Sequence, residues 1–278
     1  MNIHILHCGY IRVSETVPYG NRIDLKNTAK QLSAPDRARL TLPVCAYLVE
    51  HPAGLILVDT GWCREISPKG VYDPKAVSSV LPPHLAALFH PYLPKGMAVH
   101  EQLAELGIHP EDLTCVLLTH LDPDHVAGLR HLNGAPRIIV PEDEYFWSCR
   151  TVFKARQPRS LWLDQPLERL YYRGSSLGPN RWAIDLFGDE SVRLVNVPGH
   201  TDGQAAVLLQ NGGRFVLLAA DAAYSPRNWR EMVTPGFGFS RDWQLKSLKW
   251  IAETASDPAC AAVLCSHDPD IQPGVLSL

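Results

Sequence analysis

The sequence predicts an α/β fold of short strands whose carboxyl ends converge on one edge. Three observations carry that expectation. Short apolar runs recur along the chain and lead repeatedly into aspartate or histidine. Leu55-Ile56-Leu57-Val58 precedes Asp59, Cys115-Val116-Leu117-Leu118 comes just before His120, and Val192-Arg193-Leu194-Val195-Asn196-Val197 leads through Pro198-Gly199 to His200. Phe215-Val216-Leu217-Leu218-Ala219-Ala220 precedes Asp221, and Ala261-Ala262-Val263-Leu264-Cys265 comes just before His267. Secondly, two pairs of runs are joined by hairpin-type turns, and thirdly, segments with helical spacing lie between them. Sites in sheet-based α/β proteins gather at strand carboxyl ends, so these five segments are expected to meet.

In chain order, a strand is predicted over 3–7. A hairpin then pairs 44–50 with 55–59 across His51-Pro52-Ala53-Gly54. The stretch 62–97 is irregular, with prolines at 68, 74, 82, 83, 91 and 94. A helix over 100–106 ends at Gly107, and Pro141 opens another through 147. A second irregular stretch, 150–182, mixes proline, arginine, tryptophan and tyrosine. A second hairpin joins 205–210 to 214–220 through Asn211-Gly212-Gly213. The last helix spans 242–255, with Leu245, Leu248 and Ile251 at helical spacing. Both irregular inserts are too rich in large apolar residues for disorder. They are expected to pack over the site as lids or to form a dimer surface, giving a possible homodimer. No repeat or linker is visible, so 1–278 is expected to be one domain.

Composition narrows the function. Apolar residues make up 46% of the 278 residues and charged ones 20%, values of a globular protein with a sizeable core. A net charge of −3 and scattered Lys and Arg give no footprint for nucleic acid. No run approaches the ~20 apolar residues of a membrane span. Met1-Asn2-Ile3-His4-Ile5-Leu6-His7 lacks the basic-then-apolar pattern of an export signal, so a cytoplasmic location is expected. Seven scattered cysteines without a CxxC pair read as buried reduced thiols. Cys265, two residues before His267, suits the core better than a metal.

The chemistry concentrates in His120-Leu121-Asp122-Pro123-Asp124-His125. Four imidazole or carboxylate groups at the mouth of a buried strand are costly to fold unless a cation neutralises them. Alternate positions of an extended loop point to different sides, which suits two metal ions. Alone, the hexapeptide also reads as a polar loop capping the turn that begins at Val126. Asp59, His200, Asp221 and His267, all at strand ends, tip the balance to a metal site.

The series Asp59-Thr60-Gly61, His120-x-Asp-x-Asp124-His125, Pro198-Gly199-His200-Thr201-Asp202-Gly203, Asp221 and Ser266-His267 resembles the metallo-β-lactamase superfamily over 44–268. The resemblance implies an αββα four-layer sandwich, two mixed sheets flanked by helices, with a two-metal site at one rim. His120 and His200 would hold the first metal. Asp124, His125 and His267 would hold the second, with Asp221 bridging. Asp59 would orient a ligand histidine from behind. The family has histidine where this chain has Asp122. Asp122 is read as an oxygen ligand of the first metal, as acting through a water, or as marking a weakened site. Two divalent ions are expected, zinc first, with manganese or iron admitted because a carboxylate is the harder donor.

Tyr224, three residues after Asp221, resembles the tyrosine of the bacterial N-acyl homoserine lactonases; by itself it reads as packing. The resemblance implies opening of a lactone or related ester by a hydroxide bridging the metals. Tyr224 would hydrogen-bond the carbonyl oxygen, and Asp124 or a metal-bound water would return a proton to the alkoxide. That activity on an acyl homoserine lactone is quorum quenching. Trp62, Phe89, Tyr92, Phe146, Trp147, Phe237 and Phe239 are candidates for an acyl-chain wall, or plain core. The alternatives are a glyoxalase II-like thioesterase and a metal-binding protein without hydrolytic activity.

Overall fold

The computed structural model describes residues 1–22, 25–33, 35–150 and 155–278. Six strands build most of the first sheet: β1 (Asn2–Ser14), β2 (Arg39–His51), β3 (Gly54–Val58), β4 (Leu113–Leu117), β5 (Ile138–Pro141) and β6 (Leu167–Leu170). The second sheet holds β7 (Arg173–Gly174), β8 (Trp182–Asp185), β9 (Val192–Asn196), β10 (Ala205–Asn211), β11 (Arg214–Ala220) and β12 (Cys260–Cys265). The final strand, β13 (Gly274–Ser277), returns to the first sheet beside β1. Both sheets are mixed. β3 to β6 run parallel after an antiparallel β1–β2–β3 meander, and β12 joins an otherwise antiparallel sheet in parallel to β11.

The period-2 alternation of strand side chains explains the layering. On β2, Cys45, Tyr47 and Val49 face the second sheet, while Val44, Ala46 and Leu48 face helices. On β10 and β11, Val207, Leu209, Val216 and Leu218 fill the space between the sheets, and Leu208, Leu217 and Ala219 turn the other way. The helices Pro74–Val80, Pro83–Phe89 and Val99–Glu105 cover one outer face through Val77, Leu85, Leu88 and Leu103. Arg241–Ala255 covers the other through Leu248 and Ile251. This is the expected four-layer α/β sandwich. Tyr47 donates from its hydroxyl to the Cys265 carbonyl at 3.0 Å, and Ala205 N–H to the Thr119 carbonyl at 2.9 Å, tying the two sheets near one edge.

Both hairpins form as expected, closing at His51–Gly54 and Asn211–Arg214. β1 is far longer than 3–7. A bulge at Gly9, with φ +107°, interrupts its alternation and hides its continuation from a pattern search. Within 62–97, the helices Pro74–Val80 and Pro83–Phe89 bury Val77, Leu81, Leu85 and Phe89 in the outer-face core. The stretch 150–182, whose residues 151–154 lie outside the described residues, supplies edge strands to both sheets.

Candidate metal centre

The carboxyl ends of β3, β4, β9, β11 and β12 lie at one rim of the sandwich and deliver the polar groups there. Asp59 follows β3 with φ +58°, and Asp221 follows Ala220 with φ +48°; both strand ends leave the extended region abruptly. Such strained turns point a side chain where a regular strand cannot. His120 and Asp122 leave the loop after β4, and Asp124 and His125 lie on the single helical turn Pro123–Val126. Seven of the expected groups converge: His120, Asp122, Asp124, His125, His200, Asp221 and His267, each at most 3% exposed. Their donor atoms form three overlapping clusters: His120 with Asp122 and His200, His120 with His125 and Asp221, and Asp124 with His125 and His267.

Hydrogen bonds from behind fix three of the imidazoles. His125 Nδ1 donates to Asp59 Oδ2 at 2.8 Å, and His267 Nδ1 to the Pro43 carbonyl at 2.8 Å. Thr119 Oγ1 donates to Asp59 Oδ2, so it accepts from His120 Nδ1 at 3.0 Å. Each bond leaves Nε2 with a lone pair aimed into the centre. Asp59 therefore stands where a ligand-orienting carboxylate is needed. The Nε2 atoms of His120, His125 and His267, and Asp221 Oδ1, are buried without a hydrogen-bond partner. Asp221 Oδ1 lies 3.1 Å from His125 Nε2 and 3.3 Å from His267 Nε2, and Asp124 Oδ2 lies 3.4 Å from His267 Nε2. Lone pairs crowded at these distances repel unless protons or a metal cation lie among them. The cage of Asp124, His125, Asp221 and His267 fits a divalent metal.

Electrostatics agree. Burial alone would lower His125, but Asp59, Asp221 and Asp124 override it and raise it well above the ordinary imidazole value. Burial and the neighbouring His125 instead bring His120 down to about 4. Negative charge in excess of local cations is concentrated around the second cage.

The first cage, His120, Asp122, His200 and Asp221, is arranged differently. Arg156 Nε donates to Asp122 at 2.9 and 3.0 Å, Arg156 Nη2 donates to Oδ2 at 2.5 Å, and Gln157 Nε2 donates to Oδ1 at 3.0 Å. His200 uses both ring nitrogens, Nδ1 on the Phe237 carbonyl at 3.2 Å and Nε2 on Asp122 Oδ2 at 3.0 Å. A carboxylate has about four lone-pair sites, and Asp122 has none to spare. Burial pushes the Asp122 carboxyl up, but Arg156 and the two histidines more than offset that and hold it well below the usual range. These residues fit a carboxylate–guanidinium pair better than a second metal.

A profile of the metallo-β-lactamase superfamily matches residues 41–253, well over half of the sequence. The chain belongs to that superfamily. Among its relatives, the N-acyl homoserine lactonase AttM of Agrobacterium fabrum is 25% identical over 232 residues, covering 82% of this chain and 83% of AttM. The N-acyl homoserine lactonase AiiA of Bacillus thuringiensis subsp. kurstaki is 28% identical over 222 residues, 77% of each chain. Among solved structures, an N-acyl homoserine lactone hydrolase with N-hexanoyl-L-homoserine at its catalytic metal centre superposes with a TM-score of 0.74. It has 21% identity and covers 97% of this chain and 94% of that one. AidC, a dizinc quorum-quenching lactonase, gives 0.64 at 19% identity, covering 98% and 88%. At these identities the superpositions establish the metallo-β-lactamase sandwich itself.

Within this superfamily framework, Tyr224 stacks on His267, ring centroids 4.9 Å apart and planes 25° from parallel, and sits edge-on to His200 at 6.4 Å. Its N–H and that of Ser225 both go to Asn228 Oδ1, fixing the turn into the helix Pro226–Glu231. Burial, then Asp221 and Asp124, hold its phenol well above the usual value, so it remains an O–H donor. Of the apolar-wall candidates, Phe237 touches the site, 5.7 Å from His200 and beneath the Arg156 guanidinium at 4.2 Å; Trp147 lies on the same guanidinium at 5.5 Å. Phe239 packs on Trp147 at 6.2 Å, and Phe89 on Phe237 at 6.0 Å. Trp62 is core behind Phe89, Tyr92 stacks on Tyr10, and Phe146 is 54% exposed.

Sequence reading missed Arg156, Gln157 and Glu144. Glu144 is wholly buried and accepts from Leu121 N–H, Gln157 Nε2 and Thr201 Oγ1, joining the His120 loop to the His200 loop. Burial raises its carboxyl to about 7, opposed by those three bonds. Nothing in the local pattern of either segment marks these residues. The one signal was Asp122 itself, a buried carboxylate in a histidine position that requires a cation somewhere in the fold.

Proposed function

We propose that this chain is a metal-dependent hydrolase that opens a lactone, with an N-acyl homoserine lactone as the favoured substrate. The carrying observation is the second cage: unpartnered Nε2 atoms of His125 and His267 and Oδ1 of Asp221 facing one another, each imidazole locked from behind. The names of the relatives AttM and AiiA support the substrate class. Asp124, His125, Asp221 and His267 would hold the ion, zinc being the ordinary choice for a nitrogen-and-carboxylate set. A bound divalent metal supplies water acidified towards neutral pH and polarises a carbonyl.

The remaining work falls to the chain's own side chains. Asp59 and the Pro43 carbonyl hold the imidazoles in their coordinating tautomers. Tyr224 donates its O–H to the substrate carbonyl oxygen and to the oxyanion that develops there. Asp124, raised chiefly by burial, carries a proton to the departing alkoxide. Phe237 and Trp147 line the approach and exclude water. All seven cysteines are free thiols, which suits action in the reducing cytoplasm on an intracellular signal lactone.

A metal-quantified preparation offered lactones, thioesters, phosphodiesters and β-lactams tests the assignment. Acyl homoserine lactone opening should dominate and vanish on chelation. Turnover of another class in preference, or lactone opening that survives metal removal, would overturn it.

A further inference from the structure

Asp122 stands where the superfamily's pattern has a metal-binding histidine, and a guanidinium has come with it. Arg156 is held on Asp122 by its fork, and its Nη1 donates to the His200 carbonyl at 2.9 Å. It therefore ties together two members of the first cage that come from opposite sheets. Its outer faces are covered by Phe237 at 4.2 Å and Trp147 at 5.5 Å, and its side chain is only 12% exposed. Gln157, the next residue, donates to both Asp122 and Glu144, so the segment is anchored at two buried carboxylates.

We propose that the Arg156 guanidinium takes the place of the first metal ion, so that this chain binds one divalent ion, in the second cage. The inference rests on the metal-binding reading of that second cage. Three features support it together. A guanidinium is permanently charged, has no lone pair with which to ligate, and repels a nearby dication. Asp122 and His200 are already engaged with each other and with Arg156. The unpartnered donors are three members of the second cage or its bridge, His125, His267 and Asp221, with His120 the only one confined to the first. Arg156 thus supplies a fixed positive charge and acts through Asp122 and His200 as a positioning residue, keeping the two sheet edges in register without an ion between them.

The test is metal stoichiometry of the full chain, independent of turnover. The demetallated protein is titrated with Co(II), followed by its absorption bands and by electron paramagnetic resonance, and zinc content is measured after reloading. Wild type should saturate at one ion per chain, with the spectrum of a single uncoupled Co(II). The double substitution Asp122→His with Arg156→Ala should saturate at two. Wild type binding two ions overturns the inference, as does a folded double variant that stays at one. Failure of the metal-binding reading looks different: wild type would then bind no ion at all, which overturns the inference along with that reading. Should the double variant not fold, the wild-type count decides alone, one ion upholding the proposal and two refuting it.

Discussion

Tyr224 is a donor by its own chemistry, and its surroundings fix where that donor sits. Its ring lies on His267, its backbone is pinned by Asn228, and burial, then Asp221 and Asp124, raise its phenol above the usual value. Tyr224→Phe keeps the stacking and removes one donor. Lactone turnover should fall on the order of 100-fold while metal content stays unchanged; equal rates for the two proteins would remove Tyr224 from the mechanism. Glu144 makes a second case. Its carboxyl sits at about 7 in the fold against an ordinary 4.5, so the folded chain retains a proton that the unfolded chain has released between those values. Stability should therefore fall as pH rises through that window, by at most on the order of 3 kcal/mol. Glu144→Gln keeps the carbonyl for Leu121 and Gln157 and can donate to Thr201, whose hydroxyl turns to accept. Its denaturation midpoint should exceed that of wild type at pH 8 and converge with it near pH 4.5. Parallel midpoints across the range would contradict the buried, proton-holding carboxyl.

Elements were legible where turn chemistry and alternation agree, as in the two hairpins and the helix Arg241–Ala255. They were illegible where one irregularity masks a period, as at the Gly9 bulge, and where short edge strands lack two-sided burial. β6 is a half-exposed four-residue strand, and β7 has two exposed residues, so hydropathy gave no cue. The loop Pro198–Gly203 shows how an element's position rests on one atom. A Cβ at Gly203 would lie 1.9 Å from Glu144 N, on the helix Glu142–Cys149. Gly203→Ala must push the loop off that helix and carry His200 with it. The expected loss is about 1–3 kcal/mol, and the denaturant midpoint should fall. An unchanged midpoint would mean that the loop relaxes without strain.

At the scale of the whole molecule, each cage draws on both sheets. Asp124 and His125 come from the first, Asp221 and His267 from the second. Metal retention and folding should then be linked: with ligand at 1,000 times its dissociation constant, binding adds about 4 kcal/mol to stability. Chelation should lower the melting temperature, and readdition of zinc should restore it; identical melting curves would mean that the ion does not bind the folded chain. The sequence carried this convergence because the candidate ligands follow apolar runs, and sites in sheet-based α/β folds gather at the carboxyl ends of strands. It did not carry the Asp122–Arg156 pair, since an ion pair spanning 34 residues leaves no spacing signature.

A cage clamped between two slabs is also a gauge of the gap that separates them. Leu209, Val216 and Leu117 fill the space between the slabs, and their bulk sets that gap. Trimming one of these spacers would let the slabs settle by fractions of an ångström, and coordination tolerates less misfit than a core does. Sequence drift deep in the filling would thus retune the affinity for an ion held there while every candidate ligand stays the same.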